Sequence, residues 1–149
     1  PTESITHITN NTDMLTHLNS VAKSLNKGGV YIIESAHPRY FFPDDEDNIW
    51  EQELNGDRVR VQFGKVGDRY DSVAQVWDVT TSIELTDSAG NITKSESTSK
   101  HRWYLAQEFD LFGRLIPELE LVAFYGSLST PLMAMGSDSD EMIVVFVKK

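Results

Sequence analysis

A predicted helix ends and a buried strand begins within one short stretch, Lys27-Gly28-Gly29-Val30-Tyr31-Ile32-Ile33-Glu34. A glycine at this position can adopt the left-handed conformation that terminates many helices. The run from Val30 to Glu34 is apolar on both faces, which is typical of a strand inside a sheet that is covered on both sides. Helix, glycine pair and buried strand together predict the second half of a β-α-β unit.

The helix before this stretch is predicted from its apolar spacing. Hydrophobic residues recur at helical intervals, namely Leu15, Leu18, Ala22 and Leu25. We expect Asn11 or Thr12 to cap its first turn. His17 falls on its polar side, so we expect this histidine at the surface.

The middle of the chain has a different periodicity. Between residues 50 and 104 apolar and polar residues alternate, which predicts an antiparallel meander of at least three strands with a hairpin turn at 87–91. A second helix follows at 105–116, and the segments 119–125 and 142–147 are predicted as further strands.

Composition excludes several functional classes. The 149 residues include 13 basic and 23 acidic ones, a net charge of -10 that opposes binding to nucleic acid or to an anionic membrane. The chain has no cysteine, which removes disulfides, thiolate metal sites and cysteine nucleophiles. No apolar run is long enough to span a membrane and no signal peptide is evident, so we expect a cytoplasmic protein. The acidic run 44–47 lacks the spacing of a calcium loop, and no metal site is predicted.

The order of these elements resembles class I S-adenosylmethionine-dependent methyltransferases. The resemblance rests on residues 4–8, on the first helix, and on the Lys27–Glu34 stretch, which matches the family's Leu-x-Pro-Gly-Gly turn into its fifth strand with Lys27 in place of proline. Residues 102–104, the helix that contains Glu108 and Phe109, and the two last strands match as well. The closest similarity is to the amino-sugar N,N-dimethyltransferases, which have a β-rich insertion at this point.

The resemblance implies an α/β fold, the C-terminal half of a doubly wound, Rossmann-like methyltransferase sheet with an antiparallel β-meander insertion. Residues 1–49 and 105–149 would form the C-terminal half of the core, and residues 50–104 the insertion, a layer on the substrate side. It also implies that the strand at 142–147 lies between those at 30–34 and 119–125, antiparallel to both.

The family's cofactor motifs do not occur in this sequence. Neither the Gly-x-Gly-x-Gly turn after strand one nor the acidic residue that ends strand two is present, so no cofactor-binding residue is predicted. We expect the chain to begin just after strand four. S-adenosylmethionine would bind the parent protein, and none is expected to bind this chain alone.

Candidate site residues follow from the sheet edge at which ligands bind in such folds, the carboxyl ends of the strands. His37, just past strand 30–34, is the candidate catalytic residue, as a base or as a group that orients the acceptor. The candidate substrate-binding residues are His7, Tyr40, Phe42, Trp50 and Arg102. The alternatives are that His37 and His7 are structural or solvent-facing, that the aromatic residues pack the insertion, and that Arg102 pairs with an acidic residue.

Two functions therefore remain open from sequence. The first is the substrate-side portion of a methyltransferase acting on a small molecule. The second is a non-enzymatic α+β module that binds a ligand or a protein. We expect no nucleic acid or membrane partner, and we expect self-association, as a symmetric dimer, through the exposed edge of the strand at 30–34.

Overall fold

The computed structural model of the chain describes residues 3–40 and 49–149. These residues form two compact units. One unit joins the residues before 41 to the segment Arg102–Lys149, and the other ends at His101. Each unit contains one sheet.

Helices and strands follow one another in the order that periodicity predicts. The helices and strands are α1 (Asn11–Ser24), β1 (Val30–Ala36), β2 (Ile49–Leu54), β3 (Asp57–Phe63), β4 (Tyr70–Asp71), β5 (Val76–Thr86), β6 (Ile92–Arg102), α2 (Ala106–Leu115), β7 (Leu119–Tyr125) and β8 (Glu141–Lys148). Short 3-10 helices cover Ser4–His7 and Pro38–Tyr40.

The first unit contains a three-stranded sheet with the order β1-β8-β7. β8 lies in the middle and is antiparallel to both neighbours, with Ile33 opposite Val144 and Tyr31 opposite Phe146. The predicted strand order is therefore confirmed. The register also places the start of β8 beside the end of β1, because Ala36 lies opposite Glu141.

Both helices of this unit cover the same face of its sheet. Leu18 of α1 and Phe109 of α2 belong to one hydrophobic core with Ile33, Val144 and Phe146. We call this the inner face. Burial of these side chains supplies the main stabilisation of the unit, since apolar area removed from water is the dominant favourable term in folding.

The opposite, outer face of this sheet is apolar and open. It contains Val30 and Ile32, which are 52% and 53% exposed, opposite Val147 and Val145. The expectation that the strand is buried on both faces is therefore wrong for the described residues. An apolar pattern on both faces indicates that burial of both faces would be favourable. In the described residues, only the inner face of β1 is buried.

Two sequence expectations about α1 are corrected by the structure. Asn10, not Asn11 or Thr12, is the N-cap, and its side chain accepts a hydrogen bond from the Asp13 amide at 2.9 Å. His17 is not a fully exposed residue, because it is partly buried and its Nε2 lies 2.8 Å from the Tyr31 hydroxyl.

The second unit contains the five antiparallel strands β2 to β6. β3 and β4 pair with the same central strand, β5, and β6 also pairs with β5. Asp68 anchors this sheet, because its carboxylate accepts hydrogen bonds from the Thr80 amide, the Thr80 hydroxyl and the Lys65 amide at 2.7, 2.6 and 2.9 Å. Within the described residues, no helix is long and apolar enough to cross a membrane.

Candidate active site

Several of the predicted functional groups lie at the carboxyl end of β1. β1 ends at Ala36, His37 follows, and a 3-10 turn covers Pro38–Tyr40. The turn is closed by a hydrogen bond from the Tyr40 amide to the His37 carbonyl at 2.9 Å. His37 and Tyr40, both predicted from sequence, are thereby held within one turn of chain.

His37 is buried, with 7% of its surface exposed. Its Nδ1 lies 3.3 Å from the Arg39 amide nitrogen, which donates a hydrogen bond to it. An imidazole nitrogen that accepts a hydrogen bond is unprotonated, so the neutral ring places its proton on Nε2. In this tautomer Nε2–H is a donor. Of the two predicted roles, the geometry favours orienting an acceptor atom over removing a proton from it.

Tyr40 is more exposed and is held from two sides. Its hydroxyl donates to the Asp140 carboxylate at 3.4 Å, and the Arg39 guanidinium lies 4.8 Å from the centre of its ring. A cation–π contact at an exposed site is attractive by about 0.5–1 kcal/mol. The ring therefore presents a positioned aromatic surface beside His37.

The predicted segment 4–8 lies against β1. Its 3-10 helix buries Ile5 and Thr6, and the Thr6 hydroxyl donates to the Glu3 carbonyl at 2.8 Å. His7, the candidate substrate-binding residue on this helix, is exposed. Its assignment remains a prediction.

Three carboxylates that sequence reasoning missed lie close enough to interact. Burial raises the pKa of Glu3, and the charges of Glu34 and Glu141 raise it further. Glu141 also accepts a hydrogen bond from the Leu128 amide at 3.1 Å. Glu3 and Glu141 come from opposite ends of the chain. The predicted strand order could have indicated that Glu34 and Glu141 are close, because it places the acidic start of β8 beside the end of β1.

The loop between β7 and β8 adds apolar surface at this end of the sheet. Leu128, Leu132 and Met133 are all more than half exposed. The loop is pinned at its base by hydrogen bonds between Gly126 and Met133 and between Glu141 and Gly126, both at 3.0 Å. The loop thus adds exposed apolar side chains to the end of the sheet that contains His37 and the three carboxylates.

Arg102 has a structural role in the first unit. It is 6% exposed, and its guanidinium donates to Asn11 and Glu108, both at 2.7 Å, and lies over the Tyr104 ring. The sequence alternative of pairing with an acidic residue is the one observed. The role of Arg102 in binding substrate stays a prediction, although its guanidinium is paired with Glu108 in this conformation.

The predictions for Trp50 and Phe42 are not tested by the structure of the first unit. Trp50 belongs to the second unit, where it is 57% exposed at the start of β2. Phe42 and the acidic run 44–47 lie outside the described residues. In the part of the chain that the structure describes, no cluster of three His, Asp or Glu side chains could hold a metal ion.

Comparison with known proteins identifies the fold. The chain is similar to an S-adenosylmethionine-dependent methyltransferase from Clostridium acetobutylicum, with 12% identity and a TM-score of 0.71 over 98% of this chain and 55% of that one. It is also similar to the amino pentose methyltransferase CalS10 from Micromonospora echinaspora, with 15% identity and a TM-score of 0.67 over 98% and 55%. The sugar N-methyltransferase KedS8 from Streptoalloteichus matches with 16% identity and a TM-score of 0.67 over 100% and 54%.

No protein-family model and no curated protein matches the chain. The structural similarity shows that the chain has a class I methyltransferase-like, mixed α/β fold. The chain spans about half the length of these solved structures.

Within residues 3–40 and 49–149, no strand-to-helix turn has the glycines of an S-adenosylmethionine cradle. Such a cradle needs glycines in a strand-to-helix turn, where the backbone must approach the cofactor. In the described chain β6 is the strand that leads directly into an α-helix, and its turn, Trp103-Tyr104-Leu105, contains no glycine. Gly28 and Gly29 instead bind the end of β8, through hydrogen bonds with Lys148 at 2.8 and 2.9 Å.

Proposed function

We propose that this chain is the substrate-side, C-terminal half of a doubly wound methyltransferase sheet, and that the protein containing it transfers a methyl group to a small-molecule acceptor. In this assignment residues 1–49 and 105–149 belong to the core and residues 50–104 form a β-meander insertion on the substrate side. The strand order β1-β8-β7, with both helices on one face, supports the assignment.

The observation that carries the proposal is the group of residues at the carboxyl end of β1. Ligands of open α/β sheets bind at this edge, and here it holds the buried His37 and the positioned ring of Tyr40. His37 would donate a hydrogen bond from Nε2 to an acceptor atom and fix its direction. Alignment of this kind is worth several orders of magnitude in rate when the reacting atoms must lie in line.

The methyl donor is assigned to polypeptide beyond the residues described here. The other half of the sheet would pack on the open outer face, with Val30 and Ile32, and on the edge of β1 that pairs with no described strand. When the chain is alone, the same edge offers a pairing site to a second copy, as the apolar character of β1 led us to expect.

The test is methyl transfer by the longest native polypeptide that contains this chain. Incorporation of a labelled methyl group from S-adenosylmethionine would be measured across amines, hydroxyl compounds and carboxylic acids. We expect transfer to a neutral or cationic acceptor, and we expect His37→Ala to lower kcat about tenfold or more while the KM for the donor changes less than about twofold.

The matched control is His17→Gln, which alters a partly buried histidine on α1 away from the carboxyl end of β1. It should retain kcat. An unchanged kcat in a folded His37→Ala protein would remove His37 from the mechanism. Absence of transfer to every acceptor class would contradict the proposed activity.

A second candidate function is a non-enzymatic module that binds a ligand or a protein. The absence of a cofactor cradle in the described residues and the exposed apolar loop at Leu128, Leu132 and Met133 favour it. The two functions differ in one measurable respect. A binding module would retain its ligand without consuming S-adenosylmethionine.

A further inference from the structure

Tyr104 is a core residue whose side-chain oxygen reaches a distant part of the chain. It is fully buried, and its ring packs against Phe109 and Phe112 of α2, with ring centres 5.7 and 6.0 Å away. Its hydroxyl donates a hydrogen bond to the backbone carbonyl of Ile8, 96 residues earlier in the sequence. The apolar contacts alone would be made equally well by phenylalanine, so the hydroxyl needs an explanation of its own.

The Tyr104 hydroxyl stays protonated at neutral pH. Burial raises the pKa of Tyr104 to about 12, because a phenolate would be poorly solvated there. A protonated phenol can donate one hydrogen bond, whereas a backbone carbonyl can only accept. The bond from Tyr104 to Ile8 therefore persists across the neutral range of pH.

Ile8 ends the 3-10 helix Ser4–His7 and directly follows the candidate residue His7. The Ile8 amide donates to the Ile5 carbonyl at 3.1 Å, and the Thr6 amide donates to the Glu3 carbonyl at 2.9 Å, so both of these bonds are local. A single turn of 3-10 helix is not stable through local bonds alone. Contacts with the rest of the unit must therefore set its position against β1.

The start of this segment also needs support from its surroundings. Glu3 has a φ of 52°, in the left-handed region that residues other than glycine adopt at an energetic cost. Such a conformation persists only where the surrounding structure fixes it. Ile5 and Thr6 are buried and fix the middle of the segment, and the bond from Tyr104 fixes its end at Ile8. His7 lies between these two anchors.

We propose that Tyr104 is a positioning residue for the acceptor site, and that it holds segment 4–8, and with it His7, against the carboxyl end of β1 through the Ile8 carbonyl. The inference rests on the proposed function, because it assigns segment 4–8 to one wall of the acceptor site. Tyr104 is fully buried and acts through Ile8 without touching the acceptor. A displacement of about 1 Å in such a wall can lower the rate about a hundredfold when the reacting atoms must lie in line.

Tyr104→Phe tests this role, because it keeps the ring in the core and removes the donor to Ile8. Methyl transfer would be measured with the longest native polypeptide that contains this chain. For the amine, hydroxyl compound or carboxylic acid that the unaltered protein methylates fastest, kcat/KM should fall about tenfold. On this chain, exchange of the Thr6 and Ile8 amides with deuterated water should become about tenfold faster, because the segment opens more often.

Tyr31→Phe is the matched control. It removes another tyrosine hydroxyl of the same unit, one that lies 2.8 Å from Nε2 of His17, and it leaves the bond from Tyr104 to Ile8 in place. It should change kcat/KM and the exchange of the Thr6 and Ile8 amides by less than about twofold. Urea unfolding of both variants measures their loss of stability. A purely structural role of Tyr104 would make activity follow stability in both variants alike.

The possible failures have distinct readouts. Unchanged exchange of the Thr6 and Ile8 amides in Tyr104→Phe would show that the bond does not hold the segment. Faster exchange with unchanged kcat/KM, or an equal loss of kcat/KM in Tyr31→Phe, would overturn the positioning role alone. Absence of methyl transfer by the unaltered protein would contradict the proposed function and this role with it, while the exchange measurement would still decide whether Tyr104 holds the segment.

Discussion

The imidazole Nε2 of His17 lies 2.8 Å from the hydroxyl of Tyr31 and links α1 to the first strand of the three-stranded sheet. Burial lowers the pKa of His17 and raises the pKa of Tyr31, because the charged form of each is poorly solvated there. The pair is therefore a contact between two neutral groups, and its contribution depends on pH.

The first prediction concerns that dependence. The pKa of His17 in the folded chain is below its ordinary value of 6.5, so the unfolded state binds a proton more readily than the folded state. The stability that His17 contributes is therefore complete above pH 6.5 and is lost as the pH falls through the pKa of His17 in the folded chain. Between about pH 7.5 and about pH 5.5 the unaltered chain should lose on the order of 0.5 kcal/mol more than His17→Gln, since the pair is only half-buried. Urea unfolding at both pH values measures this difference. Equal losses of stability in the unaltered chain and in His17→Gln would contradict the prediction.

The second prediction compares two neighbouring residues of β1. Ile33 is 3% exposed on the inner face and Ile32 is 53% exposed on the outer face. Ile33→Ala should reduce the free energy of unfolding by about 3 kcal/mol, because it leaves a cavity in the core. Ile32→Ala should cost about 0.5 kcal/mol or less, as expected for an exposed site. Equal losses in urea would show that the outer face is covered in solution.

The third prediction concerns Arg102 and its partner Glu108. Arg102→Met should destabilise the chain by about 3 kcal/mol, because it leaves Glu108 without its charge partner and removes the link to Asn11. The control is Arg114→Met, whose side chain is 74% exposed beside Asp110 and should cost about 0.5 kcal/mol or less. A stable Arg102→Met chain with impaired ligand binding would contradict this structural role and support the predicted role in binding substrate.

The fourth prediction concerns Asp68 in the second sheet. Burial opposes its ionisation, but hydrogen bonds from Thr80 and Lys65 outweigh this and lower its pKa below 3.8. The stabilisation from Asp68 is present above pH 3.8 and is lost as the pH falls through the pKa of Asp68 in the folded chain. Asp68→Ala should reduce stability at neutral pH by about 2 kcal/mol, because it leaves the Thr80 amide and hydroxyl without their acceptor. Retention of full stability would contradict the anchoring role.

Sequence alone predicted the helices and the order of strands well, for different reasons. Helical spacing located α1 and α2, whereas the central position of β8 came from the family resemblance. Burial was harder to predict, because the continuous apolar run of β1 does not distinguish Ile32 from Ile33 until the helices are placed on one face. The contact between His17 and Tyr31 depends on how α1 is rotated over the sheet, which no local pattern specifies.

The candidate site was predicted in part. His37 and Tyr40 follow a strand end and were found by that rule, and the structure adds the hydrogen bond that selects the tautomer of His37. Glu3 and Glu141 lie at opposite ends of the sequence, so their proximity is a tertiary property. For Arg102 the sequence left open a pairing with an acidic residue, but its neighbours in sequence do not reveal that the partners are Asn11 and Glu108.

Titration of the chain with S-adenosylmethionine tests the central claim most directly. The chain would be shown to be folded by a cooperative urea transition and then titrated by calorimetry, with its mass in solution determined by sedimentation. If the chain holds the acceptor side alone, no saturable heat appears even at about millimolar cofactor, a concentration at which a site worth more than about 4 kcal/mol would be detected. Micromolar binding by a well-behaved monomer would contradict the assignment of this chain to the substrate half.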